Sequence, residues 1–562
     1  MFKYAWIVVL LVANSALAQV APEQSTGYQK KSAVTSKSHM VVTANQHASR
    51  AANAILSQGG SAVDAAIAAQ LVLNLVEPQS SGLGGGGFLL SFQAEDRTVY
   101  AIDGREEAPM AIKETNFLDD VGKPLPFMEA VKGGKSVGVP GLLSMLHRAH
   151  RYSGKLAWAE LFTPAIKLAK EGFVVSERLA KLLKSAGHLQ ANGWLSTDIQ
   201  EGQLLKNAQF AALLEKIAQG GPAAFYQGDT AKEIVALVQK EHGTVTALDL
   251  ANYQSRSVMP VCGYYQFYRI CSMGPPSSGG LAVIQAMGIL DHLKLNQYQP
   301  DSAKALHIMA EALRLAFADR NQYVADDRFV NVPIKQMLDR DYLSNRSALI
   351  DPSSRRKTVQ PGQFDSPPIY AYDASNLERP STTHISIVDK QGNAVSMTTS
   401  IEHAFGSGLM THGMLLNNQL TDFSFMSVKD GRPIANRIEP GKRPRSSMSP
   451  VLVFDEQGRL LLAIGSPGGA RIISYVTHVL ALVLAWDVPL EEAIHMGRFA
   501  TTGERVELET DQHSDVIAAQ LVKLGHQVVF RPLTSGLHGI YHKHGLLVGV
   551  ADPRREGTAL AQ

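Results

Sequence analysis

The sequence predicts an α+β fold in which two stacked β-sheets are covered by helices. Polar–apolar alternation of period two recurs in paired runs, and apolar segments of helical length lie between and after them. The 562 residues, 45% hydrophobic and 19% charged, are ample for a large core. A formal net charge of +2 gives no support to a nucleic-acid partner. The basic runs 355–357 and 442–445 are too short for a polyanion stripe and read as solvated faces.

In chain order, Lys3 precedes the apolar run 5–13, and Ala16-Leu17-Ala18 follows. This reads as a cleavable signal over residues 1–18, with a run too short to span a bilayer. The mature chain is expected to start at Gln19, in a periplasm or outside the cell, with no membrane attachment. Residues 30–37 are Ser/Lys-rich and read as a mobile leader, whereas 51–76 show helical periodicity. The glycine run 82–87 leads into a strand over 88–92. A nucleotide loop would need a helix after the glycines, and a phosphate loop also needs Lys-Ser/Thr. The run therefore reads as flexible backbone that joins a helix to a strand near a site. Arg105 ends the next strand. It offers a bidentate fork for a carboxylate, or else a surface ion pair with Glu106 or Glu107.

Cys262 and Cys271 flank a short hairpin over 263–268. Their spacing makes a disulfide feasible, and an exported location permits it. The Cα separation that decides the matter is not readable from sequence. No metal spacing occurs: there is no His-Glu-x-x-His, and His542 and His544 read as a solvent-facing turn. Residues 306–317 are helical in period. Residues 358–380 are rich in Pro, Ser and Asp and read as an exposed, mobile segment.

The next strand opens Ser381-Thr382-Thr383-His384. Two threonines suit β-propensity alone. A cut before Thr382 would instead create a residue with both a hydroxyl nucleophile and a free amine. An α-amino group has a pKa of about 7.7–8.0, so it can take the proton from its own side-chain oxygen. Residues 389–392 read as a four-residue hairpin loop, which sets Thr382 opposite Thr399, with Thr398 and Ser400 on either side. Ser400 and Glu402 share a face if the second strand continues that far.

A second hairpin, 450–464, runs into Gly465-Ser466-Pro467-Gly468-Gly469 and then an apolar core helix over 471–486. The glycine pair can present clustered N–H groups to an oxyanion, or form a plain tight turn. Ser446 and Ser447, beside Lys442, Arg443 and Arg445, suit a carboxylate or a solvated turn. In the polar cluster 417–423, Asp422 can pair with an ammonium group or cap a turn.

Taken together, Gly82–Phe88, Gly104-Arg105-Glu106, 274–280, Thr382-Thr383-His384, Asn417-Asn418-Gln419 with Asp422-Phe423, 442–450 and 465–469 resemble a γ-glutamyltransferase, an N-terminal-nucleophile hydrolase. The resemblance covers nearly everything after Ser38. It implies a four-layer αββα sandwich formed jointly by two subunits of one self-cleaving precursor, residues 19–381 and 382–562. It makes Thr382 the nucleophile and Ser381–Thr382 the cleavage site, with Gly468 and Gly469 as oxyanion donors and Ser400 and Thr383 hydrogen-bonding around the nucleophile. Arg105, Ser446 and Ser447 would hold the substrate α-carboxylate, and Glu402, Gln419 and Asp422 its α-ammonium. The implied partners are glutathione or other γ-glutamyl compounds and amino-acid or peptide acceptors, with no cofactor or metal.

The sequence departs from the family pattern in three places. Ser400 stands where threonine is frequent, Glu402 where asparagine is frequent, and the 424–441 stretch is shorter than a full lid loop and lacks a clear lid tyrosine. These changes bear on water exclusion, and so on the balance of transfer and hydrolysis. Two other readings stand beside this one: a glutaryl (cephalosporin) acylase of the same superfamily, and a periplasmic amino-acid-binding protein without chemistry.

Overall fold

The computed structural model describes residues 27–190, 194–364, 369–374 and 381–561. The expected signal segment 1–18 and Pro380 lie outside them. The alternating runs form two seven-stranded sheets. One sheet has the order Thr558–Ala561, Met40–Thr43, Thr383–Val388, Ala394–Ser400, Gly86–Gln93, Thr98–Gly104, Arg256–Val258. The other has Val34–Ser36, Leu546–Ala551, His538–Lys543, Leu460–Gly465, Val451–Phe454, Tyr268–Ser272, Val261–Tyr265.

Strand alternation divides the first sheet's residues between two cores. Ile385, Ile387, Val395 and Met397 pack against the buried helix Ala62–Val76. Phe88, Leu90 and Phe92 face the second sheet, whose far side is covered by Gly279–Asp291, Ala303–Tyr323 and Ile472–Trp486. The order is thus helix, sheet, sheet, helix. The segment Gly469–Trp486 is long and apolar enough to cross a membrane, but 83% of it is buried inside this fold.

Five expectations change. The basic run 442–445 is no solvated face, since Lys442, Arg443 and Arg445 are buried. The helical run 51–76 is two helices, Gln46–Ser57 and Ala62–Val76, separated at Gly59, whose φ of 92° suits glycine. The leader 30–37 is not mobile: Val34–Ser36 pairs with the 546–551 strand, and Lys31 Nζ donates to the Asp552, Arg555 and Gly557 carbonyls. The described part of 358–380 is packed rather than loose, with the Gly362 N–H donating to Asp319 at 2.7 Å. The glycines of 82–87 serve close packing instead of flexibility. None takes a positive φ, and a Cβ on Gly85 would sit 2.2 Å from the Ser400 carbonyl oxygen.

Cys262 and Cys271 face each other in register and are joined by a disulfide. The bond ties the edge strand of the second sheet to its neighbour. A loop this short adds about 2–3 kcal/mol in the chain-entropy account. Cys262→Ser/Cys271→Ser should therefore unfold at lower denaturant concentration while keeping wild-type turnover, as denaturant titration and initial rates will show.

Candidate functional site

The hairpin that follows Thr382 pairs Thr383 with Thr399, His384 with Thr398 and Val388 with Ala394. Its register is one residue away from the expected one, because the loop has five residues, 389–393. Asp389 lengthens it by accepting from the N–H groups of Gln391 at 2.9 Å and Asn393 at 3.0 Å. Continued one step, this register sets Thr382 beside Ser400 rather than Thr399.

The Ser381 carbonyl oxygen accepts two hydroxyls, from Thr382 at 2.7 Å and from Ser400 at 2.8 Å. Ser400 Oγ in turn accepts the Glu402 N–H at 2.9 Å. The Ser381 hydroxyl donates to the Gln79 carbonyl at 2.5 Å, which anchors the residue before Thr382. Both Ser381 and Thr382 are buried. The hydroxyl oxygen of Thr382 therefore lies against a carbonyl already polarised by a second donor.

Below Thr382, a polar seam runs between the sheets. His384 bonds the Thr398 hydroxyl through Nδ1 at 2.8 Å and the Ser386 hydroxyl through Nε2 at 3.1 Å. His538 Nδ1 donates to the His384 carbonyl at 2.8 Å, and Ser386 Oγ to the His538 carbonyl at 3.0 Å. Burial, with His538 adjacent, holds the His384 imidazole well below the usual histidine range. Burial likewise lowers His538, to about 4. Both rings are neutral at pH 7 and serve as position-holders. Gly465 makes room for them, since a Cβ there would lie 2.3 Å from the His384 ring.

Thr382 opens onto a narrow cavity lined by Arg105, Thr382, Ser400, Glu402, Gln419, Asp422, Ser446, Met448, Gly469 and Ile472. Arg105 Nη2 meets Asp422 Oδ2 at 2.5 Å, and Gln419 Nε2 donates to the same oxygen at 2.7 Å. The Arg105 side chain also donates to the carbonyls of Pro444 at 3.1 Å and Arg445 at 3.0 Å, which brings its fork beside Ser446. Asp103 accepts the Arg105 N–H at 2.8 Å and pairs with Arg443 at 2.8 Å. Burial pushes the neighbouring Glu106 carboxyl up to about 8, against the pull of Arg105. Glu106 is therefore largely protonated at neutral pH, which leaves Asp422 as the formal counter-charge of Arg105. Glu402 receives the side-chain amide of Asn418. It does not extend the strand, which ends at Ser400; Glu402 turns into the cavity at φ 75°.

Gly468 and Gly469 follow the 460–465 strand with φ of 141° and 57°, values that favour glycine. Gly469 reaches the cavity wall and begins the turn into the apolar helix. Two site candidates point elsewhere. Thr383 faces the helix side, where its hydroxyl donates to Glu77 at 3.4 Å. Ser447 directs its hydroxyl to Arg320, whose Nη2 donates to it at 3.0 Å. Met448 and Ile472 are lining residues that sequence reasoning missed; each adjoins a recognised motif, which is the signal that marks them. Arg320 lies far from every motif quoted for the site, whereas Gln79 stands three residues before the glycine run.

The structure also groups three metal-competent side chains that spacing alone does not flag: His307, Glu311 and His526. All of their polar atoms except His526 Nδ1 already have partners. The two imidazoles bond each other at 2.7 Å, and Glu311 binds Arg314 at 2.5 Å and the Arg356 N–H at 3.0 Å. Ligands about 2.0–2.1 Å from a tetrahedral ion stand well over 3 Å apart, so this packing is that of a hydrogen-bonded pair.

Comparison with known proteins adds a family-level match. The model described as Gamma-glutamyltranspeptidase matches residues 48–562. The glutathione hydrolase proenzyme of Bacillus subtilis (strain 168) is 37% identical, over 99% of this chain and 97% of that protein. The acylase ACY 1 proenzyme of Pseudomonas sp. (strain SE83) is 34% identical, over 95% of each. Among solved structures, a cephalosporin acylase from Bacillus halodurans superposes with a TM-score of 0.83 at 25% identity, covering 96% of this chain and 99% of that one.

Removing the Ser400 hydroxyl takes away one of the two donors on the Ser381 carbonyl. One lost oxyanion-type donor costs about 10²–10³ in rate. Ser400→Ala should slow scission of the Ser381–Thr382 bond by about that factor, and Ser400→Thr should restore it. The fraction of full-length chain after timed incubation, read on a denaturing gel, measures this.

Proposed function

The chain belongs to the gamma-glutamyltranspeptidase family, and from that premise we propose that it cleaves γ-glutamyl amides such as glutathione. The γ-glutamyl group passes to water or to an amino acid or peptide acceptor. The observation that carries this reading is the Arg105–Asp422 pair in the same small cavity as the Thr382 hydroxyl. A γ-glutamyl head is a zwitterion, and this pair offers a partner for each of its charges. Its α-carboxylate takes the Arg105 fork beside Ser446, and its α-ammonium takes Asp422, Gln419 and Glu402. The buried ion pair is exchanged for two others, so neither charge is left alone at a cost of several kcal/mol.

Maturation comes first. Thr382 Oγ1 attacks the Ser381 carbonyl carbon, the C–N bond breaks, and the nitrogen takes the proton the hydroxyl gives up. Water then hydrolyses the resulting ester. Ser381 becomes a carboxyl terminus, and Thr382 gains a free amine. The products are the subunits 19–381 and 382–562, exported after loss of residues 1–18. In turnover the Thr382 amine takes the proton from Oγ1 as it attacks the γ-carbonyl. The N–H groups of Gly468 and Gly469 face the tetrahedral oxyanion. The amine product leaves with a proton, and water or an acceptor amine resolves the threonine ester.

A second reading is supported by the similarity to acylases: hydrolysis of glutaryl amides. A glutaryl group keeps the carboxylate but lacks the amine, which would leave Asp422 and Glu402 without a substrate partner. Wild-type protein should give two bands in about a 2:1 ratio by residue count and release p-nitroaniline from γ-glutamyl-p-nitroanilide faster than from glutaryl-p-nitroanilide. Thr382→Ala should remain one inactive chain; a cleaved, active variant would refute the assignment. Loss of one partner of a buried charge pair costs 2–5 kcal/mol or more, so Asp422→Ala should lower kcat/KM for the γ-glutamyl substrate by at least roughly 30-fold. It should lower that for the glutaryl substrate far less.

A further inference from the structure

Arg320 lies on the long helix Ala303–Tyr323 and is buried. Its guanidinium reaches the cavity wall from behind. Nη2 donates to Ser447 Oγ at 3.0 Å, and Nε to Ser278 Oγ at 2.8 Å. The Ser278 hydroxyl passes the contact on, donating to the Ser446 carbonyl at 2.8 Å, while the Ser278 N–H donates to the same oxygen at 2.7 Å. Next to it, Ser277 Oγ donates to the Met448 carbonyl at 2.6 Å. The two loops are pressed so closely that a Cβ on Gly279 would lie 2.1 Å from the Ser447 carbonyl oxygen.

We propose that Arg320 is a positioning and specificity residue for the substrate carboxylate, acting through Ser447 and Ser278. The inference rests on the reading of Ser446 and its surroundings as the carboxylate subsite. Guanidinium is only a donor. Ser447 Oγ must therefore accept from it, so the Ser447 side chain is drawn to Arg320 behind the cavity wall. Ser446 is fixed at its carbonyl by the Ser278 bridge. A positive charge thus stands behind the carboxylate site and holds the 446–447 segment in place through two hydroxyls. A substrate with a carboxylate at this point gains from Arg320. One without it does not.

The test measures kcat and KM of the mature enzyme on three p-nitroanilides. γ-Glutamyl carries both head charges, glutaryl only the carboxylate, and 4-aminobutyryl only the amine. Arg320→Gln is expected to raise KM roughly tenfold, the effect of a charged hydrogen bond, on the γ-glutamyl and glutaryl substrates. It should leave kcat within about twofold and 4-aminobutyryl hydrolysis unchanged. Ser447→Ala should do the same, and Arg320→Gln/Ser447→Ala should be no worse than either alone. Arg320→Lys, which keeps the charge but not the fork, should fall between and serves if the glutamine variant fails to fold. The proposal is overturned if the two substitutions multiply, if all three substrates suffer equally, or if kcat falls at constant KM. Wild-type activity on glutaryl but not γ-glutamyl amide would instead sink the proposed function. The carboxylate claim would still be read on the glutaryl substrate.

Discussion

The site depends on strand register. A β-strand presents alternate residues to alternate faces, so a slip of one residue exchanges every cross-strand neighbour. With Thr383 opposite Thr399, the step before it brings Thr382 beside Ser400 at the open end of the inter-sheet seam. In the slipped register its neighbour would be Thr399, whose hydroxyl instead binds Gln70 on the helix side at 2.7 Å. The register is set at the far end of the hairpin, about 20 Å away at the usual rise per residue. There Asp389 is buried and binds the loop with one carboxylate oxygen and, at 3.1 Å, the Ala62 N–H with the other. A turn carboxylate and a helix start thus determine which hydroxyl meets the reactive carbonyl.

The cavity is a second constraint, because it buries charge. Arg105 is wholly enclosed, and its guanidinium is balanced by Asp422 and held by two backbone carbonyls. Desolvation keeps the adjacent Glu106 largely protonated. With Asp422 and Glu402 already beside one guanidinium, a third carboxylate charge would be repelled, and protonation of Glu106 removes it. A zwitterionic ligand would leave the net charge of the pocket unchanged, whereas a singly charged one would alter it.

Much of this was legible before any coordinates. The hairpin halves 383–388 and 394–400, the strand before Arg105 and the apolar helix after Gly469 are local signals, and each stands within a residue or two of its expected place. The register was misjudged because Asn393 resembles the first residue of a strand, whereas Asp389 draws it into the turn. The glycines 82–87 were misread because flexibility and close approach leave the same composition; only the neighbouring Ser400 carbonyl tells them apart. Ser447 is expected in the pocket because nothing near position 447 reveals a guanidinium arriving from position 320, on a helix that also buries His307, Glu311, Arg314 and Asp319. The convergence of residues 105, 382, 422 and 446 came from resemblance, as no local pattern can bring such distant positions together.

The sheet order also means that the proposed cut before Thr382 would leave the shape of the chain intact. The Thr383–Val388 and Ala394–Ser400 strands lie between Met40–Thr43 on one side and Gly86–Gln93 on the other, all of them antiparallel and hydrogen-bonded. The last strand, Thr558–Ala561, pairs with Met40–Thr43 in turn. In the second sheet, Val451–Phe454 pairs with Tyr268–Ser272. Segments from before and after residue 382 therefore lie side by side in both sheets and share both cores. Breaking one peptide bond removes no ladder hydrogen bond and exposes no core face. The two pieces stay bound by the interactions that folded the single chain, while the new amine is formed at the end of a strand that is already held on both edges.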